Sequence, residues 1–260
     1  MLQINKVYNI DCFSFLNQID ERIVDLAIID PPYNLHKASW DDFKSEKDYF
    51  SFTFRWIDAL IPKLKDNGSL YIFNTPHNAA FILTYLVKKG MVYQNWITWD
   101  KRDGFSATRR KYNIAQETIL FFTKGNRHIF NYDEIRLPYE STERIEHAKV
   151  KGILKNGKRW FPNPKGKLCT DVWHIVSERH KHKINGKTPK LPHLTPKPVE
   201  LIERLIKASS NEGNLVLDCF VGIGTTAIAA KKLKRNFICS DSNEEYVRLA
   251  LENLKSLREE

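Results

Sequence analysis

The stretch LVLDCFVGIGTT, residues 215–226, decides the fold. Its apolar start is typical of a strand buried on both faces, and its two glycines form a tight turn before a helical pattern begins. Glycine lets the backbone approach a ligand closely, and a helix start offers free N–H groups. Asp241 ends the next apolar run, where an acid can accept hydrogen bonds from ribose. We predict a nucleoside-binding strand–turn–helix unit. The alternative is a turn without a ligand, with Asp241 capping a helix.

The stretch VDLAIIDPPY, residues 24–33, has the same organisation. Consecutive prolines remove two N–H donors, so this turn presents carbonyl oxygens and the Asp30 carboxylate. Such acceptors suit the exocyclic amine of adenine or cytosine, and Tyr33 supplies a flat face for a base. Ligands of open parallel sheets bind outside the carboxyl ends of the strands, so both turns should open into one crevice. The alternative is an ordinary Pro-Pro turn with a surface tyrosine.

Alternating helical and strand patterns predict an α/β fold in the rest of the chain. Residues 49–64 have helical spacing, and Asn67-Gly68 is expected to end that helix. Regular alternation stops at Lys124 and returns at Pro198. Between them lie many lysines and arginines with interleaved aromatic residues. We predict one half of a core at 1–123, a loop-rich basic insertion at 124–190, and the second half of the same core at 191–260.

Charge and cysteine content restrict the function. The 260 residues carry a net charge of +10 at pH 7, which favours a polyanionic partner, although a solvated lysine-rich surface would give the same charge. The cysteines Cys12, Cys169, Cys219 and Cys239 show no spacing suited to zinc, so we expect a reducing compartment, no disulfides and no metal. No signal-peptide pattern or membrane-length apolar run is present, so we expect a cytoplasmic protein without membrane contact.

The two motifs together resemble those of the DNA amino-methyltransferases that use S-adenosylmethionine. In that family Asp-Pro-Pro-Tyr is the catalytic motif and Phe-x-Gly-x-Gly the cofactor motif. Their order here, with the recognition region between them, is similar to the β class and to MboII-type adenine methyltransferases. Residues 8–12, 113–122 and 193–198 also resemble family segments. The resemblance implies a Rossmann-like, mostly parallel seven-stranded sheet with one antiparallel strand, plus the basic insertion.

The resemblance also implies a reaction and its residues. The methyl group of S-adenosylmethionine would pass to N6 of a flipped adenine in duplex DNA, with Asp30, Pro31, Pro32 and Tyr33 as the catalytic residues. The expected cofactor-binding residues are Asp11, Cys12, Asp30, Pro31, Thr195, Lys197, Asp218, Phe220, Gly222, Gly224, Thr225, Thr226, Asp241 and Ser242.

The expected partner is double-stranded DNA, held by the insertion's basic residues. Candidate base readers are Arg144, Arg159, His182 and Lys183. The β-class resemblance allows a homodimer and a cognate restriction endonuclease that acts on the same site.

Three alternatives remain at this point. N4-cytosine methylation uses the same amine chemistry. An RNA or protein side-chain methyltransferase would share the cofactor fold. A DNA-binding protein with an inactive cofactor fold would keep only the basic surface. C5-cytosine methylation is disfavoured because it needs a cysteine nucleophile, usually after proline, and no Pro-Cys occurs.

Overall fold

Alternating strands and helices build the fold, as the sequence predicts. The computed structural model describes residues 2–36, 38–101, 109–178 and 196–257. The strands are β1 (Lys6–Asn9), β2 (Val24–Ile29), β3 (Leu64–Asn74), β4 (Val92–Asp100), β5 (Gln116–Thr123), β6 (Ile153–Lys155), β7 (Lys158–Trp160), β8 (Val172–His174), β9 (Leu215–Asp218) and β10 (Asn236–Asp241). The helices are α1 (Cys12–Asn17), α2 (Glu46–Leu60), α3 (Pro76–Lys88), α4 (Thr142–Lys151), α5 (Val199–Ser209), α6 (Thr225–Lys232) and α7 (Glu244–Ser256).

The two motif strands are neighbours in the main sheet. The strand order is β1-β10-β9-β2-β3-β5-β4-β8, and β2 and β9 run parallel with Leu26 opposite Val216. Their carboxyl ends therefore lie at one edge of the sheet, although the two strands are far apart in the sequence. This placement is the one the sequence predicts.

One strand of the main sheet runs against the others. β5 is antiparallel to both of its neighbours, β3 and β4, which confirms the single antiparallel strand. Within the described ranges, the sheet has eight strands rather than the expected seven. The additional strand is β8, which pairs parallel to β4 and buries Trp173. This strand comes from the segment that the sequence predicts as an insertion, where three residues are too few to give a periodic signal.

Helices cover both faces of the sheet. Alternate residues of β2 point to opposite faces, so Leu26 and Ile28 pack with α5, α6 and α7, whereas Ala27 and Ile29 pack with α1, α2 and α3. Apolar side chains on both faces explain why the strand sequences are continuously apolar. Among the described residues, no helix has the length and apolarity needed to cross a bilayer.

The first long helix ends earlier than predicted. α2 ends at Leu60, a 3₁₀ turn at Ile61–Lys63 follows, and β3 already begins at Leu64. Asn67-Gly68 consequently lies inside β3, where the pairing with β2 skips from Leu64 to Ser69 through a bulge. Glycine is favoured both at strand bulges and at helix ends. This shared preference explains why Asn67-Gly68 was wrongly predicted to end the helix.

Candidate active site

The two motif turns open into one cavity. It lies at the carboxyl edge of β2 and β9 and has a volume of about 610 Å³. Its lining includes Asp30 and Tyr33 from the first turn, Gly222 from the second, and Asp241 from the end of β10. All predicted site residues that the structure describes line this cavity except Gly224, and Thr195 lies outside the described residues. No group of side chains suited to a metal ion occurs in the described part of the chain.

The Asp30 carboxylate is held on both of its oxygens. The Tyr33 hydroxyl donates to Oδ1 at 2.6 Å, and the Lys197 ammonium donates to Oδ2 at 2.7 Å. Lys197 is 7% exposed and its Nζ also lies 5.3 Å from the centroid of the Tyr33 ring. Burial and the neighbouring carboxylates Asp30 and Glu117 raise the pKa of Tyr33 well above its usual value, so Tyr33 remains a donor. The structure thus pairs Lys197 with Asp30, a contact that sequence reasoning missed.

A second buried carboxylate, Glu117, faces the same ammonium. Because β5 runs antiparallel, its first residues lie at the edge where the parallel strands end. Glu117 accepts hydrogen bonds from Lys101 at 2.8 Å and lies 3.3 Å from Lys197. Burial raises the pKa of Glu117, but Lys197 and Lys101 outweigh burial and hold the pKa at about 2. An acid at the start of an apolar strand was the only sequence signal for this residue.

The backbone after the Pro-Pro turn is fixed by Asp41. This side chain is 1% exposed and accepts hydrogen bonds from the backbone N–H groups of Tyr33, Asn34 and Leu35 at 2.6, 2.8 and 3.0 Å. Asn78 donates to the Tyr33 carbonyl at 2.8 Å. The turn is therefore held from two directions, and sequence reasoning identified neither residue because both act from outside the motif.

Asp241 closes the cavity at the end of β10. Its carboxylate accepts hydrogen bonds from the backbone N–H groups of Gly222 and Asn243, both at 2.9 Å. Asn243, not Asp241, caps α7 by accepting from Glu245 and Tyr246. Each carboxylate oxygen has a further lone pair, so Asp241 can still accept hydrogen bonds from a ligand. Burial raises the pKa of Asp241.

Asp218 and Thr226 brace the glycine turn. Asp218 accepts hydrogen bonds from the Thr226 hydroxyl at 2.6 Å and from the Phe220 N–H at 2.9 Å. Burial raises the pKa of Asp218 to about 7, although both hydrogen bonds lower it. Asp11 also lines the cavity and caps α1 by accepting hydrogen bonds from the N–H groups of Phe13 and Ser14 at 3.0 and 3.1 Å. Hydrogen bonds therefore hold the polar groups in this part of the cavity wall.

Gly224 lies at a close contact between two helices. Its φ of 94° lies in the left-handed region, and an added Cβ would come within 2.9 Å of the Ala250 Cβ on α7. Gly224 does not line the cavity. The absence of a side chain here allows α6 and α7 to pack closely, and the cavity gives no support to a direct cofactor contact by this residue.

The insertion exposes basic and aromatic side chains. Arg144 lies on α4 and Arg159 on β7, where its guanidinium donates to the Lys151 carbonyl. Trp160 and Phe161 are each 60% exposed. The other two candidate base readers, His182 and Lys183, lie outside the described residues.

Comparison with known proteins assigns the chain to a family. The family model of DNA methylases that act at N6 or N4 matches residues 24–252. The chain is 64% identical to Type II methyltransferase M1.MboII of Moraxella bovis over 96% of both chains. It is 36% identical to Type II methyltransferase M.HpaI of Haemophilus parainfluenzae over 93% of this chain and 71% of that protein.

Solved structures agree with this assignment. The crystal structure of the M1.HpyAVI–SAM complex has 25% identity and a TM-score of 0.63, covering 96% of this chain and 98% of that one. The PvuII DNA methyltransferase, described as cytosine-N4-specific, shares the fold at 15% identity with a TM-score of 0.67, covering 95% of this chain and 85% of that one. With its two motif turns meeting in one cavity, the chain belongs to the DNA methylase family.

Proposed function

We propose that this chain is a site-specific DNA methyltransferase that transfers a methyl group from S-adenosylmethionine to N6 of a flipped adenine in duplex DNA. The observation that carries the proposal is the shared cavity, which both the Asp30 turn and the glycine turn line. Its volume of about 610 Å³ lies within the range of roughly 300 to 1,000 Å³ that is usual for small-molecule sites.

The residues of the glycine-turn side fit the cofactor. Asp241 has lone pairs left for ribose hydroxyls, and the start of α6 at Thr225 offers backbone N–H groups to a carboxylate. Phe220 and Tyr246 add aromatic surface for an adenine ring. When bound, S-adenosylmethionine supplies a methyl group on a positively charged sulfur.

Asp30 prepares the target amine for attack. The N6 lone pair of adenine is delocalised into the ring, so the free amine is a poor nucleophile. Asp30 and the Pro31 carbonyl accept its two hydrogens, which localises the lone pair and directs it at the methyl carbon. The nitrogen–carbon bond forms while the carbon–sulfur bond breaks, and the electron pair stays on sulfur. Asp30 then takes the surplus amine proton and releases it to water. Catalysis comes from positioning and electrostatics.

The target base must leave the duplex to reach Asp30. The Asp30 side chain is 24% exposed and Tyr33 is 8% exposed, so the reacting groups lie inside the cavity rather than on a surface. A base within the helix stack cannot enter such a site, and flipping brings it out. Tyr33 lines the cavity that receives the base and orients Asp30 with its hydroxyl.

The insertion, residues 124–190, is proposed to hold the DNA. In sequence it lies between the two proposed halves of the core, 1–123 and 191–260, and it exposes Arg144, Arg159 and aromatic side chains. Lysines and arginines on phosphates release counterions, so affinity falls steeply with salt. A gel-shift titration measures this slope, and a flat salt dependence would contradict the proposed DNA contact.

The biological context follows from the relatives. Because they are named Type II methyltransferases, we propose that this chain protects a site that a cognate restriction endonuclease cuts. The four cysteines are free thiols, which fits the reducing cytoplasm. A homodimer is proposed from the β-class motif order, and light scattering of the purified protein tests it.

N4-cytosine methylation is the second candidate, because the matching family covers both amines. The experiment uses isotope-labelled S-adenosylmethionine and duplex DNA of mixed sequence, followed by digestion to nucleosides and mass analysis. Labelled N6-methyladenine is expected. Labelled N4-methylcytosine would favour the second candidate, and the absence of any labelled nucleoside would refute both. Asp30→Ala should abolish transfer while calorimetry still detects cofactor binding.

A further inference from the structure

Two carboxylates share one buried ammonium at the cavity. Lys197 lies 2.7 Å from Asp30 and 3.3 Å from Glu117. The Tyr33 hydroxyl bridges the same two carboxylates, at 2.6 Å from Asp30 and 3.3 Å from Glu117. Lys101 joins the described cluster through the other oxygen of Glu117, Oε1, at 2.8 Å. Four separate segments of the chain thus converge on one cluster, which no motif contains as a whole.

The cluster is balanced in charge. It holds two anions and two cations, and Lys197 and Glu117 are almost completely buried, at 7% and 9% side-chain exposure. Removing one member of a buried ion pair leaves an uncompensated charge. Two carboxylates close together without a cation hold a proton between them at a higher pH than either would alone.

We propose that Lys197 and Glu117 are positioning residues for methyl transfer: Lys197 orients Asp30 and offsets the charge of the two carboxylates, and Glu117 keeps Lys197 in place. The inference rests on the proposed function. A protonated Asp30 would offer a donor where the target amine needs an acceptor. The family resemblance instead assigns Lys197 to the cofactor, and the two roles predict different measurements.

The low pKa of Glu117 supports the proposed role. Both lysines hold this pKa down: Lys197 has the larger effect through its charge, and Lys101 has the larger effect through its hydrogen bond. The remaining ionisable groups near Asp30 are Tyr33, which stays a phenol, and Asp218 on the neighbouring strand. Loss of Lys197 would therefore leave Asp30 beside a neutral donor and a second acid, while Lys101 would still contact Glu117.

The test is the pH dependence of single-turnover methyl transfer, measured between pH 5 and pH 9. The acidic limb is the part of the pH–rate profile in which the rate falls as the pH decreases. Lys197→Met should move this limb to higher pH by about one unit or more, which is the shift usual for loss of a close opposite charge. Adding Glu117→Gln to that variant should move the limb back, because only one carboxylate then remains. Lys101→Met is the matched control, and its shift should be smaller because Lys101 does not contact Asp30.

Glu117→Gln alone provides a second, independent measurement if Lys197→Met does not fold by circular dichroism. This variant removes the carboxylate that holds Lys197 in place. Methyl transfer should become slower by roughly tenfold or more at every pH, because small misplacements of reacting groups strongly reduce the rate. Its acidic limb should not move to higher pH. An unchanged rate for this variant would overturn the proposal.

Cofactor binding separates the two roles of Lys197. An unchanged pH profile in Lys197→Met, with affinity for S-adenosylmethionine reduced at least tenfold in calorimetry, would assign Lys197 to the cofactor and overturn the inference. In that case the wild-type protein still methylates DNA, and the proposed function survives. Wild-type protein that labels no nucleoside would instead overturn the proposed function and the inference together.

Discussion

Replacing Gly224 with alanine tests whether the glycine motif serves packing or cofactor approach. Gly224 has a φ of +94°, and a Cβ would lie 2.9 Å from the Cβ and 3.1 Å from the Cα of Ala250. A left-handed conformation costs a non-glycine residue about 1–2 kcal/mol, and overpacking a core contact costs about 1–3 kcal/mol. We therefore expect Gly224→Ala to lower the free energy of unfolding by roughly 2–5 kcal/mol.

Gly213→Ala is the matched control. Gly213 also has a positive φ, of +81°, but nothing lies within 4 Å of its added Cβ. Urea unfolding should show only the conformational cost of about 1–2 kcal/mol for this variant. The difference between the two variants measures the clash with α7. Introducing Ala250→Gly should reduce the cost of Gly224→Ala, because the two Cβ atoms would no longer meet.

The result that would refute this reasoning is specific. In that result, Gly224→Ala is at least as stable as Gly213→Ala, and calorimetry shows that Gly224→Ala has lost affinity for S-adenosylmethionine. Gly224 would then be required for approach of the cofactor, as the sequence motif suggests, and the packing explanation would be wrong.

Three further predictions concern the cavity wall. Asp41→Asn should lower stability by about 1–3 kcal/mol, because its amide would face the Leu35 N–H with another donor, and urea unfolding measures this loss. Asp218 has its pKa raised to about 7, so its folded state binds a proton that the unfolded chain releases near pH 4. The contribution of Asp218 to the free energy of unfolding should therefore fall as the pH rises from 4 to 7. Unfolding measured across this pH range should show Asp218→Asn becoming more stable relative to wild type as the pH rises. Tyr33→Phe should retain more methyl transfer than Tyr33→Ala, and equal activities would argue against a role for the ring.

The sequence predicted the parts of the site that depend on local pattern. Strands β2 and β9 are continuously apolar because both faces are covered, and each ends in residues that only a special turn accommodates. Parallel strands share an edge, so the convergence of Asp30 and Gly222 on one cavity followed from these patterns. The single antiparallel strand came from the family resemblance.

The sequence did not predict the parts that depend on tertiary neighbours. Glu117 reaches the cavity only because β5 runs against its neighbours, and strand direction leaves no mark on local composition. Asp41 acts on a backbone eight residues away. The short strand β8 is stabilised by its contact with β4 rather than by its own periodicity. Such roles become visible only when the partners of each side chain are known.

The pairing of β2 with β9 has a consequence for how the protein acquires activity. These strands are about 190 residues apart, so their contact closes a very long loop, and contacts of that kind form slowly. A nascent chain that has been synthesised only as far as the Asp-Pro-Pro-Tyr segment lacks the glycine turn, which supplies the other part of the cavity lining. Methyltransferase activity should therefore appear late, after synthesis has passed residue 241. A chain truncated before β9 should have no methyltransferase activity, although its catalytic motif is intact.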